Sequence, residues 1–148
     1  MGDAGRNIHV EILLQQLGVE LPIVQAPMAG VSTAEMAAAV SNGGGLGSIG
    51  VGSLDAAATQ TMIVAVRSRT DRPFNVNVFC HRPAVADNAR EAAWLARLAP
   101  EFARYGASPP ARLSEGYPSF LTDDAKLRVL LAERPAVVSF HFGLPRQD

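Results

Sequence analysis

A chain of 148 residues with 48% hydrophobic and 18% charged content has the composition of a single folded globular unit, which excludes a fibrous or disordered polymer. Thirteen basic and fourteen acidic residues leave a net charge of -1 without basic clusters. There is no electrostatic footprint for nucleic acid or an anionic membrane, and the expected partner is a small molecule. Cys80 stands alone, which excludes an internal disulfide framework and a cysteine-based zinc or iron–sulfur site. Asp3, Arg6, Glu11 and Glu20 interrupt any signal-like apolar run, and no stretch reaches the length of a membrane span, so the expectation is a cytoplasmic chain with no metal. The opening Met1-Gly2 matches only part of the myristoylation pattern, which wants Ser or Thr where Arg6 stands.

In chain order, the apolar spacing from Ile8 to Leu17 predicts a leading helix that stops at Gly18, and Leu21-Pro22-Ile23-Val24 predicts a first strand running into Gln25-Ala26-Pro27-Met28-Ala29-Gly30. Ser32-Thr33-Ala34-Glu35 fits a capping box with Ser32 as the cap and Glu35 reaching back, and the alanine-rich helix it opens ends at Asn42-Gly43. A short buried strand is predicted over Leu46–Val51, then a helix from Leu54 to Arg69 with Met62, Ile63 and Val66 as its inner stripe. Phe74–Phe79 reads as the next strand. Pro83–Tyr105 reads as helix punctuated by Pro100, and Gly106–Pro118 as a loop rich in Pro, Gly and Ser. Thr122 can cap a further helix through Ala132, and Ala136–Phe140 reads as the last strand.

Four strands alternating with helices imply a parallel α/β sheet with right-handed crossovers. A closed (β/α)8 barrel needs roughly 200 to 250 residues. The expected fold class is therefore a partial (β/α)8 TIM barrel: about the first four βα units, with a helical excursion before strand 4, forming a single unit over residues 1–148.

Alternation along Phe74–Phe79 puts Asn75 and Asn77 on one face and Val76 and Val78 on the other. In the last strand Ser139 and His141 share a face with Val137, while Phe140 and Phe142 belong to the face that helices would cover. Asparagine is disfavoured inside strands. Three candidate strands thus finish at their carboxyl ends with a side chain able to hydrogen-bond, namely Gln25, Asn77 and His141, and that edge is where parallel α/β folds bind ligands. Singly, each such residue is more commonly a satisfied turn or strand-end group. In the loop between, Pro27 fixes φ, Gly30 allows positive φ, and Met28 offers a soft apolar surface. That combination can lie against a planar ring, or can serve as a tight βα connection with a core methionine. Gly45-Leu46-Gly47-Ser48-Ile49-Gly50 matches G-x-G-x-x-G, with Asp71 about twenty residues on, but those glycines contain the apparent strand instead of following one, which argues against a dinucleotide site.

The segments PIVQAPMAG, GGGLGSIG, FNVNVF and VSFHFGLP, in this order, resemble bacterial nitronate monooxygenases, formerly called 2-nitropropane dioxygenases. The resemblance implies an FMN-dependent (β/α)8 barrel that oxidises alkyl nitronates with dioxygen to carbonyl compounds and nitrite. It implies that Ala26, Pro27 and Met28, with Gln25 before them, form the flavin-contacting turn, that Asn77 contacts the flavin, and that His141 of the class I FHFG motif is catalytic, facing the substrate. An imidazole, which changes charge near neutral pH, can pair with an anionic nitronate or take a proton from a nitroalkane. The family's later strands and glycine-rich phosphate loops have no counterpart, so the expectation is a truncated N-terminal half, self-associating through open sheet edges. Two further readings remain: another FMN barrel oxidoreductase, such as an NAD(P)H:quinone or enoyl reductase, and a non-catalytic remnant or interaction module.

Overall fold

The computed structural model describes residues 4–145, so the Met1-Gly2 opening lies outside the described residues. The described residues fall into two compact units, a larger one over 4–82 and 117–145 and a smaller one over 83–116.

The larger unit begins with helix α1 (Ala4–Leu17), which Gly18 ends in a left-handed conformation, as its position after the apolar run predicts. Helices α2 (Ala34–Asn42), α3 (Ala56–Arg67) and α5 (Asp124–Glu133) alternate with strands β1 (Gly47–Gly50), β2 (Phe74–Phe79) and β3 (Val137–His141). The strands form a parallel sheet in the order β1-β2-β3, with Ile49 opposite Val76 and Asn77 opposite Ser139. One face of the sheet is apolar. Ile49, Val51, Val76 and Val78 pack there against Ala37 of α2, Ile63 and Val66 of α3, and Leu130 of α5. Each large side chain fully buried in that layer contributes about 2 kcal/mol over exposure. In α3 the buried positions Thr59, Ile63 and Val66 follow helical spacing, and Asp55 caps the helix by accepting the Ala58 N–H at 2.8 Å. Arg67 ties α3 to α5 through an ion pair with Glu133. Inside α5 the almost fully buried Lys126 pairs with its own N-cap, Asp123, at 3.2 Å.

Several sequence expectations shift. The first strand is reduced to a single bridge between Val24 and Leu46. Pro22 has no amide to give, and the Ile23 N–H turns back to Leu21 O at 2.7 Å, so only the Gln25 and Leu46 amides make ladder-like bonds, to Leu46 O and Ile23 O. The cap of α2 is Thr33, whose hydroxyl accepts the Met36 N–H at 3.2 Å, because Ser32 is buried in the turn before it. Glu35 does not close a capping box with Ser32. It pairs with Arg69 at 2.6 Å, and its carboxyl is held below its ordinary pKa by hydrogen bonding to its own backbone amide, then to Thr33, with the Arg69 charge adding to this. Asp123, one residue after Thr122, caps α5.

The smaller unit carries α4 (Asn88–Arg104), which starts five residues later than the sequence pattern suggests because Asp87 accepts the Arg90 N–H at 3.0 Å and caps it there. Pro100 lies inside the helix without ending it, and the turn at Gly106, with φ 67°, does so. The Arg97 guanidinium lies 5.8 Å over the Trp94 ring.

Candidate functional site

Opposite the apolar layer, the sheet presents Ser48 and Gly50 from β1, Asn75, Asn77 and Phe79 from β2, and Ser139 and His141 from β3. The split into an asparagine face and a valine face follows the alternation legible in FNVNVF. Asn75 Nδ2 donates to Ser48 Oγ at 3.2 Å and Ser139 Oγ at 2.9 Å, and Asn77 Nδ2 donates to Ser139 Oγ at 2.9 Å and Ser139 O at 3.1 Å. Both amide nitrogens are therefore spent inside the sheet. Both amide oxygens, Asn75 Oδ1 and Asn77 Oδ1, are buried and have no partner among the described residues. A buried acceptor without a donor costs about 1–3 kcal/mol, so each of these oxygens is a place where an N–H or O–H donor, from water or from a ligand, is favoured.

The loop from Gln25 to Gly30 closes one end of this row. Gln25 Oε1 accepts the Ser48 N–H at 3.2 Å, so its side chain stands where a strand neighbour would be. Ser32 Oγ accepts the Met28 N–H at 2.9 Å and donates to Ala26 O at 3.3 Å, while the Val31 and Ser32 amides both reach Met28 O. Gly30 takes φ +75°, which a side chain would resist. The turn is consequently rigid without helix or strand bonds. It lies directly on β1: a Cβ on Gly50 would fall 2.9 Å from Ala29 N and 3.2 Å from Met28 C. Gly50 is the register partner of Asn77, so the loop and the orphaned carboxamide are neighbours across a residue with no side chain.

His141 is exposed at the carboxyl end of β3, one side-chain step beyond Ser139 on the same face. Its carbonyl accepts the Cys80 N–H at 2.8 Å, which fixes its backbone, and among the described residues no hydrogen bond reaches the imidazole. Aromatic rings surround it instead: Phe79 with centroids 6.3 Å apart and planes 24° from parallel, and Phe142 at 5.8 Å. Phe142 departs from the sequence expectation. It takes φ 67°, which breaks the alternation and turns its ring away from the helix-covered face, leaving it 73% exposed and 5.1 Å from Phe79. Cys80, at the end of β2, is buried, and that burial pushes its thiol pKa up, the opposite of what a reactive thiolate needs.

Of the six sequence-predicted site residues, Gln25 and the backbone of Met28 lie against β1, at the Ser48 amide and at Gly50, with Ala26 and Pro27 in the same turn; Asn77 is buried within β2 opposite Gly50, and His141 ends β3 two positions beyond Ser139. The residues that tie them together were less visible. Ser139 and Asn75 follow from alternation alone, but Tyr117, whose ring meets Phe79 at 5.4 Å, comes from the loop after the smaller unit and carries no signal in its own stretch. It is brought there by buried Ser119, which donates to His81 O at 2.5 Å.

Known proteins share this arrangement of sequence. A profile of the family described as nitronate monooxygenase matches residues 11–148. The chain belongs to the nitronate monooxygenase family. A relative from Paraburkholderia phytofirmans, named nitronate monooxygenase, is 61% identical over 136 residues, covering 92% of this chain and 37% of its own length. One from Pseudomonas aeruginosa with the same name is 59% identical over 132 residues, covering 89% and 38%. Among solved structures, nitroalkane oxidase from Streptomyces ansochromogenes superposes with a TM-score of 0.70 at 41% identity, over 90% of this chain and 37% of that one. FabK from Thermotoga maritima superposes at 0.58 with 27% identity, over 87% and 29%. This member of the nitronate monooxygenase family therefore spans under two fifths of the length of these curated relatives, and its three parallel strands with their helices are a partial α/β barrel. No helix among the described residues is long and apolar enough to cross a membrane.

Proposed function

We propose that residues 1–148 form the N-terminal half of an FMN-binding barrel domain and carry part of the site of a nitronate monooxygenase, an enzyme that oxidises alkyl nitronates with dioxygen to a carbonyl compound and nitrite. The observation that carries this reading is the row in which the buried, partnerless Asn77 Oδ1, the side-chain-free Gly50 and the backbone of Met28 and Ala29 stand side by side. An acceptor beside a flat, glycine-floored turn suits a planar ring that carries N–H donors, and the isoalloxazine of FMN is such a ring. Ala26, Pro27 and Met28 would hold its plane, Gln25 would brace the turn through the Ser48 amide, and Asn77 would receive a ring N–H. When bound, FMN supplies the electron transfer between nitronate and dioxygen. His141, exposed at the same edge and with no hydrogen bond to its imidazole among the described residues, would bind the anionic nitronate, or in its neutral form take the proton from the carbon beside a nitro group. The single buried Cys80 fits a cytoplasmic setting. We also infer that the chain self-associates through its open sheet edge.

The test is to mix the 148-residue chain with FMN, desalt it and record the visible spectrum. Retained flavin bands are expected. Complete loss of flavin from folded protein would overturn the reading for this chain. With flavin retained, His141→Asn is expected to keep the bound FMN while nitronate turnover falls about 100-fold or more. Turnover that instead requires NAD(P)H would assign the chain to a different flavin oxidoreductase.

A further inference from the structure

We infer that Phe79 is a positioning residue for His141, and that the empty Cβ position of Gly52 is what lets it serve. The inference rests on the reading of His141 as the substrate-facing group. Phe79 and His141 are register partners across β2 and β3, on the polar face of the sheet and outside the apolar cluster that α2, α3 and α5 cover. Phe79 is nonetheless 9% exposed, whereas the two rings that meet it edge-on, Tyr117 and Phe142, are 50% and 73% exposed. It is buried because its ring fills the slot left by Gly52: a Cβ there would fall 2.4 to 2.6 Å from three of its ring carbons. The ring cannot lean that way if position 52 gains a side chain, and it has no helix to fall back on.

The consequence reaches His141. Its backbone is pinned through Cys80, but among the described residues its imidazole has only ring packing to choose an orientation. The near-parallel Phe79 ring at 6.3 Å lies in the range of offset aromatic pairs and, of the two rings described beside the imidazole, is the buried one. A substrate-facing base must be held in a narrow range of geometry, and a ring wedged between Gly52 and His141 supplies that constraint without using either imidazole nitrogen. Both nitrogens stay available for substrate.

NMR of the 148-residue chain tests this independently of turnover. His141→Asn identifies which of the three histidine ring signals belongs to position 141. In the unaltered chain, ring-to-ring cross-peaks between Phe79 and His141 and a rigid His141 Cδ2–H bond vector are expected. Phe79→Ala and Gly52→Ala are each expected to abolish the cross-peaks and set the imidazole moving, with the backbone amide pattern of the sheet retained; Phe79→Tyr should preserve both signatures. A rigid imidazole in folded Phe79→Ala would overturn the inference. So would a mobile imidazole in the unaltered chain, a result that needs no variant to fold. Turnover is the separate arm: where the FMN-loaded chain is active, Phe79→Ala should lower kcat about 10- to 100-fold and Phe79→Tyr restore it. An ordered His141 in a chain without turnover would sink the functional reading and leave the positioning role standing.

Discussion

Ser139 shows how much one hydroxyl can hold. It accepts an amide N–H from Asn75 and another from Asn77, both at 2.9 Å, and so joins two carboxamides that would otherwise each have a donor unspent in a buried face. Without it Asn75 keeps Ser48 Oγ, and Asn77 keeps the Ser139 carbonyl. Ser139→Ala should therefore cost roughly 1–3 kcal/mol, read as a lower urea midpoint at unchanged slope. An unmoved midpoint would mean that water replaces the hydroxyl and that the face is wetter than its burial implies. The same arithmetic shows where the row keeps capacity: the nitrogens of both asparagines are committed to orienting the amides, and among the described residues only the oxygens remain unused.

At the scale of elements, small residues decide how closely helix and strand approach. Gly47 begins β1 under α2, and a Cβ there would stand 1.9 Å from Ala37 O and 2.7 Å from Ser41 Oγ. The same Ser41 hydroxyl accepts the Gly47 N–H at 3.1 Å and donates to Pro73 O at 2.8 Å, stitching helix, β1 and the start of β2 together. Gly47→Ala must lift α2 off the sheet and is expected to cost about 3 kcal/mol, whereas Gly116→Ala, where nothing lies within 4 Å, should leave the thermal midpoint in place. Equal effects would show that the helix relaxes freely. Such close packing was half legible in the sequence. The two-residue period of FNVNVF placed β2 at its observed bounds, and Ile63 and Val66 marked the buried side of α3, because periodicity reports which face meets the core. What periodicity could not report was competition for a single side chain. Ser32 and Thr33 are both competent caps, and the choice fell to Thr33 because the turn before the helix had claimed the Ser32 hydroxyl. Likewise the first strand failed on one missing amide at Pro22, and Phe142 left its predicted face through a positive φ that no alternation rule contains. The candidate site was legible as an edge, from Gln25, Asn77 and His141; its wiring through Ser139, Gly50 and Phe79 needed the register.

At the scale of the whole chain, the described sheet has β3 at its edge. Among the described residues β3 pairs only with β2, and its sequence, Val137-Val138-Ser139-Phe140-His141, carries no Lys, Pro or acidic residue of the kind that blunts an edge. The His141 carbonyl points toward β2, where it receives the Cys80 N–H, and parity along a strand then turns the N–H and C=O groups of Val138 and Phe140 toward the free side. Beside that edge lies a groove of about 620 Å³ in which Leu127, Leu131, Val138 and Phe140 are exposed or half-covered above the buried Phe120. Unpaired backbone next to unpaired apolar surface favours strand addition, and a second copy of the chain offers the same edge. Sedimentation velocity is expected to show association that grows with protein concentration and persists at high salt, since the surface is apolar and the net charge is only -1. Val138→Pro removes a donor that faces outward and spares the ladder to β2, so it should shift the population toward monomer while the circular dichroism of the fold is kept. A monomeric unaltered chain at high concentration would defeat the proposal. Association untouched by Val138→Pro would move the contact from the strand edge to another apolar surface, for which the exposed Ile8, Ile12 and Leu13 of α1 are the next to alter.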